Sequence, residues 1–154
     1  MNIFILDSDP VKCAQYHVDK HVIKMPLEIA QMMSTTVRLT GLDVGYAITH
    51  QNHPCTKWVR ASLSNWLWAK DLAKCLNEEW QYRYNHSVNH KAFDVILSLP
   101  TPNIPDIGLT QFAICMEKVF KIGNDPIESY HNYYRQTKSH LFSWKKRETP
   151  EWLL

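Results

Sequence analysis

The sequence predicts a mainly α fold: a single compact helical domain spanning residues 1–154, with at most a short N-terminal strand. Three observations carry that prediction. Apolar residues recur at helical spacing through most of the chain, proline follows an Asp or His at three helix-start positions, and only four glycines interrupt 154 residues. A chain of this length buries roughly two thirds of its unfolded surface in one core. Composition that is 45% hydrophobic, with six tryptophans and seven tyrosines, excludes disorder and low complexity.

Asn2 to Leu6 reads as a short buried strand, and Asp7, Ser8 and Asp9 before Pro10 form a helix start. The first helix runs from near residue 10 to about Leu39, where Thr40 and Gly41 stop it, with a break expected between His17 and Pro26. Gly41 to His53 is a loop, and Asn52 or His53 caps a long helix from Pro54 to Tyr84 with an interruption around Ser62 to Ser64. Ser87 is the expected N-cap of a short helix through Leu97, and Leu99 to Pro105 is a proline-rich connector over the same core. Gly108 to Ile122 is ambiguous between strand and helix. Asp125 and Pro126 start a tyrosine-rich helix over Ile127 to Phe142, and a basic, aromatic tail follows.

The most informative stretch is His17 to Thr35. On a helical projection His17, His21, Lys24, Glu28, Gln31 and Thr35 fall within about 40° of one line, while apolar residues cover most of the remaining circumference. Such a helix is expected to be buried. Its polar row must then be paired or line a cavity, because each unpaired buried polar group costs roughly 1 to 3 kcal/mol. The bland alternative is a satisfied polar seam between helices. Pro26 decides whether the row is one surface or two.

Several chemistries fit these residues. His17 and His21 have the i, i+4 spacing of a zincin-type metal pair, and His86 and His90 repeat it, but Val18 stands where the general-base glutamate belongs and Lys20 and Lys24 add positive charge. An anion site fits better. His17, Lys20, His21 and Lys24, with Arg60 and Arg83 from the second long helix, supply the donors that phosphoryl oxygens require. Glu28 is then the one acid among donors, able to act as general base or to stabilise a cationic sugar; its alternative is an ion pair with Lys24. Ligand-binding candidates beside them are Gln31, His50, Asn52, His53, Glu79 and His86, with Trp58 and Tyr82 as stacking rings. No cofactor is called for.

Net charge is +2, far below that of a protein that wraps duplex DNA, so nucleic-acid contact must come from a local patch or a small footprint. The run Lys145, Lys146 and Arg147, preceded by Arg135 and Lys138, is such a patch or else a solvated face. Cys13, Cys55, Cys75 and Cys115 are widely spaced without a CxxC pair and read as packing thiols of a reducing compartment. There is neither a signal peptide nor an apolar run near the roughly 20 residues of a membrane span, so the expectation is a soluble, cytoplasmic protein.

At DKHVIKMPLEIAQMMST, THQNHPCTKWVR, EWQYRYNH and DPIESYHNYYR the sequence resembles a family of small proteins of large tailed bacteriophages. That resemblance covers most of the chain and implies a cytoplasmic protein made in the infected cell. More distantly, a helix bearing a glutamate, an NHP loop and a long helix ending in Glu, Tyr and Arg are similar to the pyrimidine-dimer DNA glycosylases of the phage endonuclease V type. Those are all-helical N-glycosylase/lyases that use an N-terminal amine and a helix-borne glutamate. The similarity implies Glu28 as the catalytic carboxylate. The chain departs from the pattern in beginning Met1, Asn2 before an apolar run.

The reading that follows is a nucleotide- or nucleic-acid-directed hydrolase cleaving an N-glycosidic bond, with Glu28 and His21 as catalytic residues and a pocket between the His17 to Thr35 segment and the Asn52 to His86 region. Its rivals are a metal-dependent hydrolase using His17 and His21, and a non-catalytic host-takeover protein that binds a host protein.

Overall fold

The computed structural model describes residues 1–154 and is all helical. Six helices follow in order: α1 (Pro10–Tyr16), α2 (Asp19–Leu39), α3 (Pro54–Ala61), α4 (Leu63–Tyr84), α5 (Lys91–Ser98) and α6 (Pro126–Thr137). Single 3-10 turns stand at Lys118–Phe120, Ser139–Leu141 and Glu151–Leu153. Both long helices, α2 and α4, pack against each other; α1 lies on α4, and α3 and α5 lie on α2. No helix is long and apolar enough to cross a membrane.

Local chemistry explains the helix starts. Asp9 and Asp125 each accept a backbone N–H in the first turn, with Pro10 and Pro126 in the first helical position. His53 and His90 do the same through Nδ1, accepting from Cys55 and Ala92 N–H. The cap of α5 is therefore His90 rather than Ser87. His90 also donates through Nε2 to the Ile23 carbonyl at 2.9 Å, which fastens α5 to α2. The expected interruption of the second long helix falls at Ser62, whose backbone is extended between α3 and α4.

Pro26 lies inside α2 and does not divide it. The missing N–H costs one ladder bond at Val22, and the burial of Met25, Pro26, Ile29 and Met33 along the same stretch offsets that loss. The break comes earlier, at His17 and Val18, both in extended backbone between α1 and α2. His21, Lys24, Glu28, Gln31 and Thr35 thus share one uninterrupted helix, and His17 precedes it.

The tyrosine-rich helix ends at Thr137 rather than Phe142, and two further expectations fail. Asn2 to Leu6 is extended and buried but is not a strand, because no second strand lies beside it; the chain's one β-bridge joins Ile122 to Asp125. Side chains satisfy this segment's backbone instead. Asn2 Oδ1 accepts from Ile3 N–H at 2.9 Å, Cys13 Sγ–H donates to the Phe4 carbonyl, and His131 Nε2–H donates to the Leu6 carbonyl at 2.7 Å. Gly108 to Ile122 is neither strand nor a full helix; its only regular turn is Lys118–Phe120. The helical apolar face of that stretch is too short to bury, whereas Phe112, Ala113, Cys115 and Met116 pack singly on the core.

The loop between α2 and α3 is held by Thr35, whose Oγ1 accepts from Thr49 N–H at 3.2 Å, and by Gly45 at φ +68°. A Cβ on Gly45 would come within 2.5 Å of Ser34 Oγ and 2.7 Å of Leu99 Cδ2. Gly45→Ala is expected to lower stability by about 1 to 3 kcal/mol, from strain and collision together. Gly108→Ala, also at positive φ but with nothing within 4 Å, is expected to cost only about 1 kcal/mol. Urea unfolding of the two variants compares them, and equal losses would remove the packing role of Gly45.

Candidate functional site

A cleft of about 180 Å³ opens on one side of α2, lined by Met1, Asn2, Phe4, His21, Lys24, Met25, Glu28, Tyr133 and Lys138. One wall is the polar row of α2. The other is the buried N-terminal segment together with α6 and the residue after it. This differs from the expected pocket against the Asn52 to His86 region, because the N-terminal segment fills the space beside α2.

At the centre, the Met1 amine stands 3.3 Å from Glu28 Oε1, with both groups largely shielded from solvent. Glu28 is thus paired with the chain's own amine, and no ion pair joins it to Lys24. Phe4 carries the wall beside them: its ring stacks on His21 at 4.5 Å with an interplanar angle of 6° and meets Tyr134 edge-on at 5.4 Å. His21 Nδ1 shares a 2.6 Å hydrogen bond with Tyr134 Oη. Burial lowers the His21 pKa to about 3, with the neighbouring His17, Lys138 and Lys24 acting in the same direction. The ring is therefore neutral at physiological pH. The cations of the cleft are Lys24, Lys138 and the amine, set against the one carboxylate of Glu28.

His17 is fully buried and stands outside the cleft lining. Its Nδ1–H donates to the Cys13 carbonyl at 2.7 Å, Nε2 has no partner, and burial lowers its pKa to about 4. The zincin-like pairing of His17 with His21 dissolves because the helix break separates them, although their rings still meet edge-on at 6.4 Å. Lys20 is exposed and Gln31 half-buried, neither lining the cleft.

The remaining candidates divide into two groups. Arg83 is fully buried and uses its guanidinium on the protein: Nε donates to Glu79 at 2.8 Å, and the terminal nitrogens donate to the His17 carbonyl (2.8 Å), Asp19 Oδ1 (3.0 Å) and the Gln15 carbonyl (2.9 Å). Glu79 also accepts from Arg147 at 2.6 Å, and Tyr82 lies under that guanidinium at 4.5 Å. The basic tail is thus docked on α4 and the α1–α2 break, with Asp19 accepting from Ser143 and from Lys145 N–H. Trp58 is core, edge-on to Trp68 at 5.9 Å and tilted against Phe112. Arg60 donates to the Gln51 carbonyl, His50 and Asn52 are exposed, and His86 stacks on Trp80 at 3.7 Å on the surface. The geometry gathers His21, Lys24 and Glu28 and disperses the rest.

Met1, Asn2, Phe4, Met25, Tyr133 and Lys138 are the cleft residues that sequence reasoning missed as site residues. Lys138 signalled itself by its basic character and Met1 through the N-terminal amine of the similar glycosylases; Asn2, Phe4 and Tyr133 become site residues through threading of the N-terminus against α6, which leaves no periodic trace, and Met25 borders the cleft from α2. His53 sits close enough to the amine for that positive charge to lower its pKa, after burial. Ligand atoms of His53, Cys55 and Cys115 converge within 4.8 Å of one another and form the one potential metal-ligand group. His53 Nδ1 accepts from Cys55 N–H, so in the neutral ring the proton sits on Nε2, 3.3 Å from Cys115 Sγ. That nitrogen faces sulfur as a donor, without a lone pair for a cation.

The family model described as pyrimidine dimer DNA glycosylase matches residues 1–92. The matched span contains Met1, His21, Lys24 and Glu28; Tyr133 and Lys138 lie beyond it. No curated protein and no solved structure matches the chain.

Two measurements check this division. Arg83→Leu is expected to destabilise the fold by about 3 to 5 kcal/mol, since it leaves Asp19 and Glu79 buried without their shared partner; an unchanged unfolding midpoint would return Arg83 to the list of ligand-binding groups. Stability should also fall as pH drops from 6.5 towards 4, because the unfolded chain binds protons that His17 and His21 refuse in the folded state, and level off above pH 7. His17 alone contributes about 3 kcal/mol of that loss. Urea titrations at pH 7 and pH 4.5 read it, and His17→Phe should flatten the slope.

Proposed function

The chain belongs to the pyrimidine dimer DNA glycosylase family, whose activity is that of a nucleic-acid-directed N-glycosidase, and on that premise we propose that the Met1 amine and Glu28 cleave the glycosidic bond of a damaged pyrimidine nucleotide in DNA. One observation carries the reading: an amine and a helix-borne carboxylate 3.3 Å apart, both largely shielded from solvent, in a cleft that two lysines also line. A permanent ion pair is a poor reason for such a pair to face an open cleft, since desolvating both charges offsets much of their attraction.

In this reading Glu28 takes a proton from the amine, whose nitrogen then attacks C1′ of the deoxyribose. A C1′–N bond forms to the enzyme as the bond from C1′ to the base breaks, and the departing base keeps the electron pair and is protonated from solvent. Cleavage of the C1′–O4′ bond opens the sugar to an imine, and water releases the amine and an aldehyde sugar. Glu28 stabilises the cationic sugar and returns the proton to O4′. His21, neutral at working pH, orients the reacting groups as a hydrogen-bonding ring and does not supply an imidazolium.

Lys24 and Lys138 meet the phosphates flanking the target nucleotide. A cleft of about 180 Å³ is small against the roughly 300 to 1,000 Å³ of ordinary ligand pockets, which suits one extruded nucleotide's sugar and excludes a stacked base pair. The weak net charge of +2 agrees with a footprint of few phosphates.

The test is a duplex oligonucleotide carrying one cyclobutane pyrimidine dimer, incubated with and without borohydride. A covalent adduct mapping to the Met1 amine is expected, and Glu28→Gln should slow base release by about 100-fold or more with folding intact. Absence of any adduct, or an adduct on a lysine side chain, would remove the amine from the mechanism. Lys138→Ala should reduce the salt dependence of DNA binding by about one phosphate contact while leaving the adduct site unchanged.

A further inference from the structure

Against the N-terminal segment lies a second cluster, which shares Asn2 with the cleft lining but takes no step in the chemistry above. Cys55 stands in the first turn of α3 and Cys115 on the coil between α5 and α6, separated by 60 positions in sequence and brought within 4.8 Å, together with the His53 ring. Asn2 joins them: its Nδ2 donates to the Cys115 carbonyl at 3.0 Å, and its Oδ1 accepts from Tyr130 Oη at 2.7 Å and from Cys55 Sγ at 3.5 Å. His53 Nε2 reaches Cys115 Sγ at 3.3 Å, and the cap bond at Nδ1 fixes the tautomer that points an N–H at that sulfur. A half-buried sulfur is thus held between an imidazole donor and a second thiol.

We propose that Cys55 and Cys115 form a thiol–disulfide exchange site, with Cys115 as the attacking sulfur, Cys55 as the resolving thiol and a low-molecular-weight disulfide as the oxidant. Three things support it independently of the glycosylase reading. The two sulfurs are adjacent without being bonded. The His53 donor favours the anionic form of Cys115 by hydrogen bonding. Cys115 is also accessible, since both it and Cys75 are half-buried while Cys13 and Cys55 are buried.

Titration agrees with the geometry. The Cys115 pKa is lowered to about 7, first by hydrogen bonding with the Cys55 thiol, whose S–H is shared with Asn2 Oδ1, and further by the Met1 amine and Lys121, against the opposing effect of burial. Cys75, similarly exposed, is raised to about 11 by burial and by Glu78 and Asp71. The Cys55 thiol is pushed upward by the same hydrogen bond and by burial, so it keeps its proton until the second step.

The exchange balances as two displacements. The Cys115 sulfur attacks one sulfur of R–S–S–R; a Cys115–SR bond forms, the small disulfide's S–S bond breaks, and the leaving thiolate takes up the proton that Cys115 lost, by way of solvent. Cys55 then attacks Cys115 Sγ, expelling the second RSH with the Cys55 proton. Two protein thiols are oxidised by two electrons to one disulfide, and one R–S–S–R is reduced to two RSH.

Oxidised glutathione at pH 7 is the probe, with intact mass and peptide mapping as the readout. In the wild-type chain Cys115 is expected to react about a hundredfold faster than Cys75, the thiolate advantage being partly offset by the lower nucleophilicity of the weaker base. The product should be a Cys55–Cys115 disulfide, two hydrogens lighter than the starting protein. Cys55→Ser should stop at a stable mixed disulfide on Cys115. His53→Asn keeps a good helix cap while removing the ring; it should slow Cys115 severalfold, with α-helical content unchanged. Reaction at Cys75 as fast as at Cys115, accumulation of mixed disulfide in the wild type, or an unaltered rate in His53→Asn would each overturn the proposal.

Discussion

The buried guanidinium of Arg83 is the interaction on which the remaining geometry depends. The chain must break its helix at His17 and Val18 so that α2 can leave α1 in a new direction, and a break leaves carbonyls at the end of α1 without partners. Arg83 donates to two of them, at Gln15 and His17, while pairing with Asp19 in the first turn of the next helix. One planar fork thereby ends one helix, begins another and ties both to α4. Asp19 in turn receives Ser143 and Lys145, and Glu79 receives Arg147, so the C-terminal tail is fixed by the same charges. The direction of α2, and with it the line along which His21, Lys24 and Glu28 project, follows from this cluster.

Within the cleft the balance of charge is set by what burial refuses to ionise. His17 and His21 concentrate imidazoles beside lysines, yet both rings stay neutral at physiological pH because the interior disfavours their charged forms. Positive potential is left to Lys24, Lys138 and an amine, all near one carboxylate. Such a site attracts an anion without needing the broad basic surface that a net charge of +2 does not provide.

The helices and all but one of the side-chain caps were legible in the sequence because they rest on local signals: Asp9 with Pro10, Asp125 with Pro126, the NHP turn, and helical spacing in α2 and α4; the cap of α5, His90, was not. The polar row was legible for the same reason. Arg83 and Glu79 misled because their spacing with Tyr82 resembles a ligand-binding face, whereas both are consumed by a long-range junction that no window of sequence contains. Trp58 misled because its aromatic character is shared by core and stacking rings, and its packing on Trp68 and Phe112 depends on tertiary placement. The N-terminal run read as a strand because a short continuous apolar run does not say whether a neighbouring strand will be present; its hydrogen bonds come from Cys13 and His131 side chains instead. The four cysteines read alike as packing thiols, and only the fold separates Cys115 and Cys55 from the others.

The threaded N-terminus also has a consequence for synthesis. Residues 1 to 6 are synthesised long before their partners Tyr130, His131 and Tyr134 on α6, and before Lys138, which completes the cleft lining. The segment emerges long before anything exists to hold it. Helices α1 to α4 can pack on one another as they appear, but the amine and Glu28 come to face a finished cleft only once α6 and Lys138 have been made. A nascent or truncated chain ending before α6 would carry the row of α2 without its opposite wall, so the Met1 amine has no finished cleft to face until α6 and Lys138 are in place.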